Sequence, residues 1–149
     1  MYPFVLTVHS WNRWVVLLAA AAALVLAWRG WLGGRRFGRP DHAAGATLTG
    51  ALHLQLLLGL WLYSSLSPWP RLAWQQGRGL WSDATLRFWG VEHIGLMVAG
   101  VVLAQVGRSL SKRAPTDALK HRRAAVFYTL AVLIILLGVP FASRPWFRF

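Results

Sequence analysis

The hydrophobic pattern divides the chain into four long apolar stretches that are separated by short polar breaks. The stretches cover residues 4–28, 43–66, 88–106 and 124–142. Each is close to the roughly 20 mostly apolar residues that an α-helix needs to cross a bilayer. The pattern therefore predicts an all-α protein with one transmembrane domain over residues 1–149, folded as an integral membrane antiparallel four-helix bundle.

The breaks between the stretches carry residues that are typical of loops. Residues 29–40 contain four glycines, residues 67–83 contain Pro68 and Pro70, and residues 109–120 contain Pro115. Glycine and proline interrupt regular structure, so we expect loops in all three places. Thr116 or Asp117 is the expected N-cap of the fourth helix. The first stretch lacks a basic leader region and a small-residue cleavage site, which favours a retained helix.

Composition supports a membrane protein and changes how the charge is interpreted. The 149 residues are 56% hydrophobic, which exceeds what a soluble domain of this size needs. The net charge of +12 would suit nucleic acid, but the basic residues lie between apolar stretches. Lysine and arginine beside membrane spans set topology and contact anionic lipid, so the lipid bilayer is the expected partner and nucleic acid is not. The chain has no cysteine, which excludes disulfides, thiolate metal sites and covalently attached haem.

The distribution of basic residues predicts the orientation. The first and third breaks hold ten basic residues, and the second break and the C-terminal tail hold five. The ten are Arg29, Arg35, Arg36, Arg39, Arg108, Lys112, Arg113, Lys120, Arg122 and Arg123, and the five are Arg71, Arg78, Arg87, Arg144 and Arg148. Because positive loops stay in the cytoplasm, we expect a multi-pass protein of the bacterial inner (cytoplasmic) membrane with both termini extracytoplasmic. Tryptophans near the stretch ends, Trp146 among them, are typical of interfacial belts.

Each predicted helix carries one histidine, and these are the candidate cofactor ligands. They are His9, His53, His93 and His121, whereas His42 lies at a loop edge. An ionisable side chain at membrane depth is costly and is a functional hypothesis by default. Imidazole is a common axial ligand of haem iron, and helix bundles often house haem.

The expected depths of these histidines suggest two ligand pairs. At a rise of roughly 1.5 Å per residue, His9 and His93 both lie in the outer half of the membrane. His53 and His121 lie in the inner half, so two pairs would hold two haem b groups. Two alternatives remain open: His121 belongs to a basic run and can be only an anchor, and His53 with His93 can hold a single haem.

Two charged residues accompany the outer pair. Arg13 is one turn from His9, and Glu92 adjoins His93. Arg13 suits a haem propionate because its guanidinium presents a planar fork of donors. Glu92 is a candidate catalytic proton acceptor for quinol oxidation. Alternatively, the two form a structural ion pair between helices. Gln55 is expected to make an interhelical hydrogen bond.

Five segments carry a resemblance that spans nearly the whole chain. They are HSWNRW from His9, HLQLLLGLWLY from His53, VEHIGLM around His93, KHRRAAVFYTLAVLIIL around His121 and the terminal RPWF. Together they resemble small bacterial four-helix membrane proteins of the cytochrome b type. In architecture the chain is also distantly similar to di-haem, quinone-linked cytochromes b. This resemblance implies bis-histidine haem b with the four histidines as ligands, but no quinone-site motif carries over.

These observations predict a membrane b-type cytochrome. It would transfer electrons through two haems between the quinone pool and a redox protein, and a quinone-linked oxidoreductase activity is one form of this. The first alternative is a non-catalytic membrane subunit or assembly factor of a respiratory complex. The second is a haem- or copper-handling membrane protein. A homodimer is compatible with the small residues on the helices, although the sequence does not select it.

Overall fold

The structure is a computed structural model and describes residues 1–140. Within that range the chain is helical and contains no β-strand. Four helical segments are long and apolar enough to cross a membrane, which confirms the predicted number of membrane-length helices. These segments are Tyr2–Leu32, Arg39–Leu66, Ala84–Lys112 and Asp117–Gly138.

Shorter elements complete the helical segments and connect two of them. Helix α1 is Tyr2–Leu32, and α2 is Arg39–Trp61, which continues as a π-helical turn, Leu62–Leu66. A short helix α3, Pro68–Gln75, and a 3-10 turn, Gly77–Trp81, follow. Helix α4, Ala84–Arg87, leads through a π-helical turn, Phe88–Glu92, into α5, His93–Lys112. Helix α6 is Asp117–Gly138.

The helices extend further into the basic breaks than the apolar pattern predicts. α2 begins at Arg39, where the Gly38 amide donates a 2.9 Å hydrogen bond to the Asp41 carboxylate. α6 begins after Thr116, whose hydroxyl accepts from the Leu119 amide at 3.3 Å, so Thr116 is the cap. Capping satisfies the free amides of the first turn, and for this reason caps rather than hydropathy decide where these helices begin.

The predicted C-terminal features lie partly beyond the part of the chain that the structure describes. α6 ends at Gly138, four residues before the predicted end at 142. Positions 141 and 142 are outside the described residues, and so are Arg144, Trp146, Arg148 and the RPWF segment.

The second break is not the simple loop that its prolines predicted. Pro68 and Pro70 lie in the first turn of α3, where the missing proline amide costs no intrahelical hydrogen bond. The Trp74 indole donates to the Tyr63 hydroxyl at 2.8 Å, and that hydroxyl donates to the Gly90 carbonyl at 2.7 Å. The fully buried Ala73 lies against Gly90. These contacts hold α3 against the start of the third long segment.

The long helices contact one another as a closed set: α1 with α2, α2 with α5, α5 with α6 and α6 with α1. Small side chains dominate the core between them, including Ala20 and Ala23 of α1 and Ala125 and Ala131 of α6. Small residues let helix backbones approach closely, which increases van der Waals contact when hydrophobic exclusion from water is absent. We call the end where α1 begins and α6 ends the terminal end, and the opposite end, with the turns at 33–38 and 113–116, the basic end.

Candidate cofactor site

A cleft opens near the terminal end between the long helices and beneath α3. Its empty space, the open mouth included, is about 1350 Å³, and most of its lining is apolar. Ligand sites in proteins are typically apolar clefts with a few polar groups that fix orientation. The polar residues that matter for the chemistry here are His9, Arg13, Gln55 and His93.

His93 is held in one orientation by the end of α6. Its Nδ1 atom lies 2.7 Å from the Gly138 carbonyl oxygen. A carbonyl can only accept, so Nδ1 carries the proton and the lone pair remains on Nε2. The rings of Phe88 and Trp89 flank the imidazole, with centroids 5.7 Å and 5.4 Å away. A histidine fixed through one nitrogen in this way is the usual arrangement of a metal ligand.

His9 is held by a polar network between α1 and α2. The Asn12 amide donates to Gln55 Oε1 at 2.8 Å and to the Ala51 carbonyl at 3.1 Å. Because Oε1 is thus the atom that faces Asn12, the Gln55 amide nitrogen faces His9, 3.2 Å from Nε2 and 3.0 Å from the backbone oxygen. Nε2 then accepts, and the proton lies on Nδ1, which is buried beside Gly59 and has no hydrogen-bond partner within residues 1–140.

The prediction that Gln55 links two helices is therefore confirmed, whereas the role of Asn12 was missed. Asn12 is only 8% exposed, so it belongs to the interior between the helices. Its position one turn from His9 was the available signal, because residues three apart share a helix face.

The structure brings His9 and His93 to one cleft. Both side chains line it. This is the pair that the depth argument placed in the outer half of the membrane. The two imidazoles come from α1 and α5, which lie diagonally in the set of four long helices.

Arg13 and Glu92 have different surroundings. Arg13 lines the cleft, and its guanidinium lies 5.5 Å from the centroid of the Trp14 ring. Glu92 is not among the cleft-lining residues, and its Oε1 atom lies 2.6 Å from Nε of Arg87. Both side chains of that ion pair are roughly one-third or more exposed, so it adds little to stability. The sequence pattern predicted Arg87 only as a basic residue of the second break and did not predict this pairing.

His53 and His121 are not brought together. His53 is exposed, whereas His121 is 1% exposed at the basic end, beside Gly30. The nearest carboxylate to His121 is Asp41, with Oδ1 3.9 Å from Nδ1. Asp41 lies twelve residues before His53 on α2, which corresponds to roughly 18 Å along the helix.

The rotation of α2 about its axis explains why His53 is exposed. Leu48 and Leu52, 1% and 3% exposed, are spaced one turn apart and define the inward face of α2. His53 follows Leu52 directly and is turned about 100° away from that face. The predicted pairing of His53 with His121 was based on depth along the helix and took no account of this rotation. His42 is exposed, but it lies in the first turn of α2 and not in a loop, and its ring meets Phe37 edge-on with the centroids 4.9 Å apart.

Comparisons with other proteins provide no assignment. No family model, no curated protein and no solved structure matches this chain. Within residues 1–140, no group of three or more histidine, cysteine, aspartate or glutamate side chains is arranged to hold a metal ion directly. A porphyrin-bound iron is a different case, because its ring supplies four ligands and the protein needs only one or two.

Proposed function

We propose that this chain is an integral membrane b-type cytochrome, an antiparallel four-helix bundle that holds haem b between His9 and His93 for electron transfer. The observation that carries the proposal is the orientation of the His93 ring and the position of its proton. Its Nδ1–H is fixed on the Gly138 carbonyl, and it lines an apolar cleft that a second histidine shares. Within residues 1–140 no hydrogen bond engages Nε2, and its lone pair is the group that an iron ion requires.

The residues around the cleft fit a haem. The apolar lining suits the porphyrin faces, and Arg13 offers a guanidinium to a propionate in the same cleft. Gly59 leaves space beside the His9 ring that a side chain would fill. Binding through His9 Nε2 would replace the Gln55 contact, and the Gln55 amide would keep its bonds to Asn12 and to the His9 backbone oxygen.

The haem would supply reversible one-electron chemistry, and the chain would tune it. His9 and His93 fix the cofactor between α1 and α5. The apolar walls exclude water, which strengthens the electrostatic effect of the Arg13 charge. Glu92 lies outside the cleft and is held by Arg87, so the proposed function gives it no proton-transfer role at the haem.

The proposal is for one haem, although the sequence suggested two. His53 and His121 are separated in depth and in rotation, so they cannot share a cofactor within one chain. By the positive-inside rule, the cleft lies in the extracytoplasmic half of a bacterial inner membrane. The redox partners would then be a membrane quinone or an extracytoplasmic redox protein.

A second candidate function is a structural membrane subunit or assembly factor of a respiratory complex. The observation that favours it is the polar network in which Gln55 and Asn12 already engage His9. In that case His9 and His93 would fasten α1 to α2 and α5 to α6 without a cofactor.

One experiment separates the two functions. The protein is produced with ample haem supply and purified in detergent, and its reduced-minus-oxidised spectrum and pyridine haemochrome content are measured. We expect sharp b-type bands and one haem per chain. Two haems per chain would contradict the single site, and a haem-free protein would leave the structural subunit as the better account.

A further inference from the structure

His53 is a polar side chain at an unusual place. It lies near the middle of the membrane-length segment Arg39–Leu66 and is exposed. Between residues 1 and 140, no hydrogen bond, ion pair or ring contact involves its imidazole. Its exposed neighbours are the apolar Leu54 and Leu57, at 49% and 65%. The cofactor cleft does not use it.

Membrane insertion, on which this inference rests, makes that position costly. The hydrocarbon core offers no water to the two ring nitrogens, and intramembrane ionisable residues almost always find a polar partner. The middle of a span is too deep for so short a side chain to reach the interface. The partner must therefore be another membrane-embedded polar group, supplied from outside the described part of this chain.

We propose that a second copy of this chain supplies the polar partner of His53, through a surface that we call the α2 outer face. This surface consists of Ala46, Gly50, His53 and Leu57, which are exposed and spaced three or four residues apart on one side of α2. A Cβ atom at Gly50 would have nothing within 4 Å, so a facing helix has room to approach. Small residues one turn apart allow such close approach in membranes.

The chemistry of imidazole favours an identical partner. A neutral imidazole has one donor and one acceptor, so it complements a second copy of itself. A two-fold axis beside His53 would place the two rings together and close the assembly as a dimer. The same axis would bring Gly50 and Leu57 of each copy against the α2 helix of the other. No additional protein is needed to satisfy the group.

The cysteine-free chain allows a direct test. Gly50→Cys and Leu57→Cys keep His53 and place a thiol on the α2 outer face. Leu18→Cys, at 72% exposure on α1, is a matched control near mid-span. In native membranes under mild oxidation, we expect a disulfide-linked dimer from the two α2 variants and not from the control, because a disulfide requires Cα atoms within about 7 Å.

A second measurement tests the histidine itself. In detergent, we expect His53→Leu to weaken dimerisation about three-fold to thirty-fold, and His53→Asn, which keeps a donor and an acceptor, to restore much of the loss. Three results would overturn the proposal. They are a monomeric wild-type protein, a dimer that is linked equally through Leu18→Cys, and cross-links from the α2 variants only to a protein of different mass. Haem is measured separately on the same samples, so an absent haem leaves the cross-linking result valid.

Discussion

The Nδ1 atom of His93 lies 2.7 Å from the carbonyl oxygen of Gly138, which ties the first residue of α5 to the last residue of α6. This bond determines which ring nitrogen holds the proton, and it also prevents the ring from turning freely. The π-helical turn Phe88–Glu92 immediately precedes His93 and brings two aromatic rings against it. Such π-turns are frequent at functional sites, which agrees with a ligand role.

The ligand assignment predicts which histidine changes remove haem. His93→Ala and His9→Ala should each lose most of the b-type absorption because each would remove one of the two proposed iron ligands, whereas His53→Ala should retain it. The measurement is haem per chain from the pyridine haemochrome. To separate ligand loss from misfolding, imidazole added to His93→Gly should restore the reduced bands. Haem loss confined to His53→Ala would contradict the site.

The charge in the cleft predicts a shift of the midpoint potential. A positive charge near the haem stabilises the reduced form, so Arg13→Gln should lower the potential, on the order of tens of millivolts. Glu92→Gln is the control, since that side chain lies outside the cleft. It should change the potential little and stability by less than about 1 kcal/mol. Potentiometric titration followed by visible absorption measures the midpoint potential of both variants. Equal shifts in the two variants would argue against the Arg13 assignment.

The network between α1 and α2 predicts a strong coupling between two amides. Asn12→Leu or Gln55→Leu alone should lower the free energy of unfolding by about 1–3 kcal/mol, because each breaks the bond between the two side chains and leaves the remaining amide without one of its partners. The double variant should cost clearly less than the sum, since no unsatisfied amide remains. Denaturant unfolding in mixed micelles measures the free energy of unfolding of the two single variants and the double variant. Additive effects would show that Asn12 and Gln55 are not energetically coupled.

Helix packing predicts different effects for glycine changes at the basic end and at the terminal end. A Cβ atom at Gly30 would collide with the ring of His121, which is 1% exposed and cannot move aside. Gly30→Ala should therefore destabilise the protein by about 1–3 kcal/mol. Gly95→Ala meets nothing within 4 Å and should be neutral or stabilising by up to about 1 kcal/mol. Thermal unfolding in detergent compares them, and equal melting temperatures would contradict this packing.

Local sequence patterns predicted the helices well and the site only in part. Apolar runs long enough for a bilayer identified all four membrane-length helices because that signal depends on composition alone. Depth along each helix identified His9 and His93 as neighbours. The same argument grouped His53 with His121, which the structure separates, because a pairing also depends on how each helix is rotated about its axis.

The sequence by itself determined that the chain forms four membrane-length helices, that each carries at least one histidine, and that basic residues gather in two of the breaks. These properties follow from residue type and from the fixed rise of a helix. Only the tertiary structure decided that Gly138 orients His93, that Asn12 and Gln55 hold His9, and that His53 lies outside the core. Those relationships join residues far apart in the chain, and they depend on helix rotation and backbone approach, which no local pattern specifies.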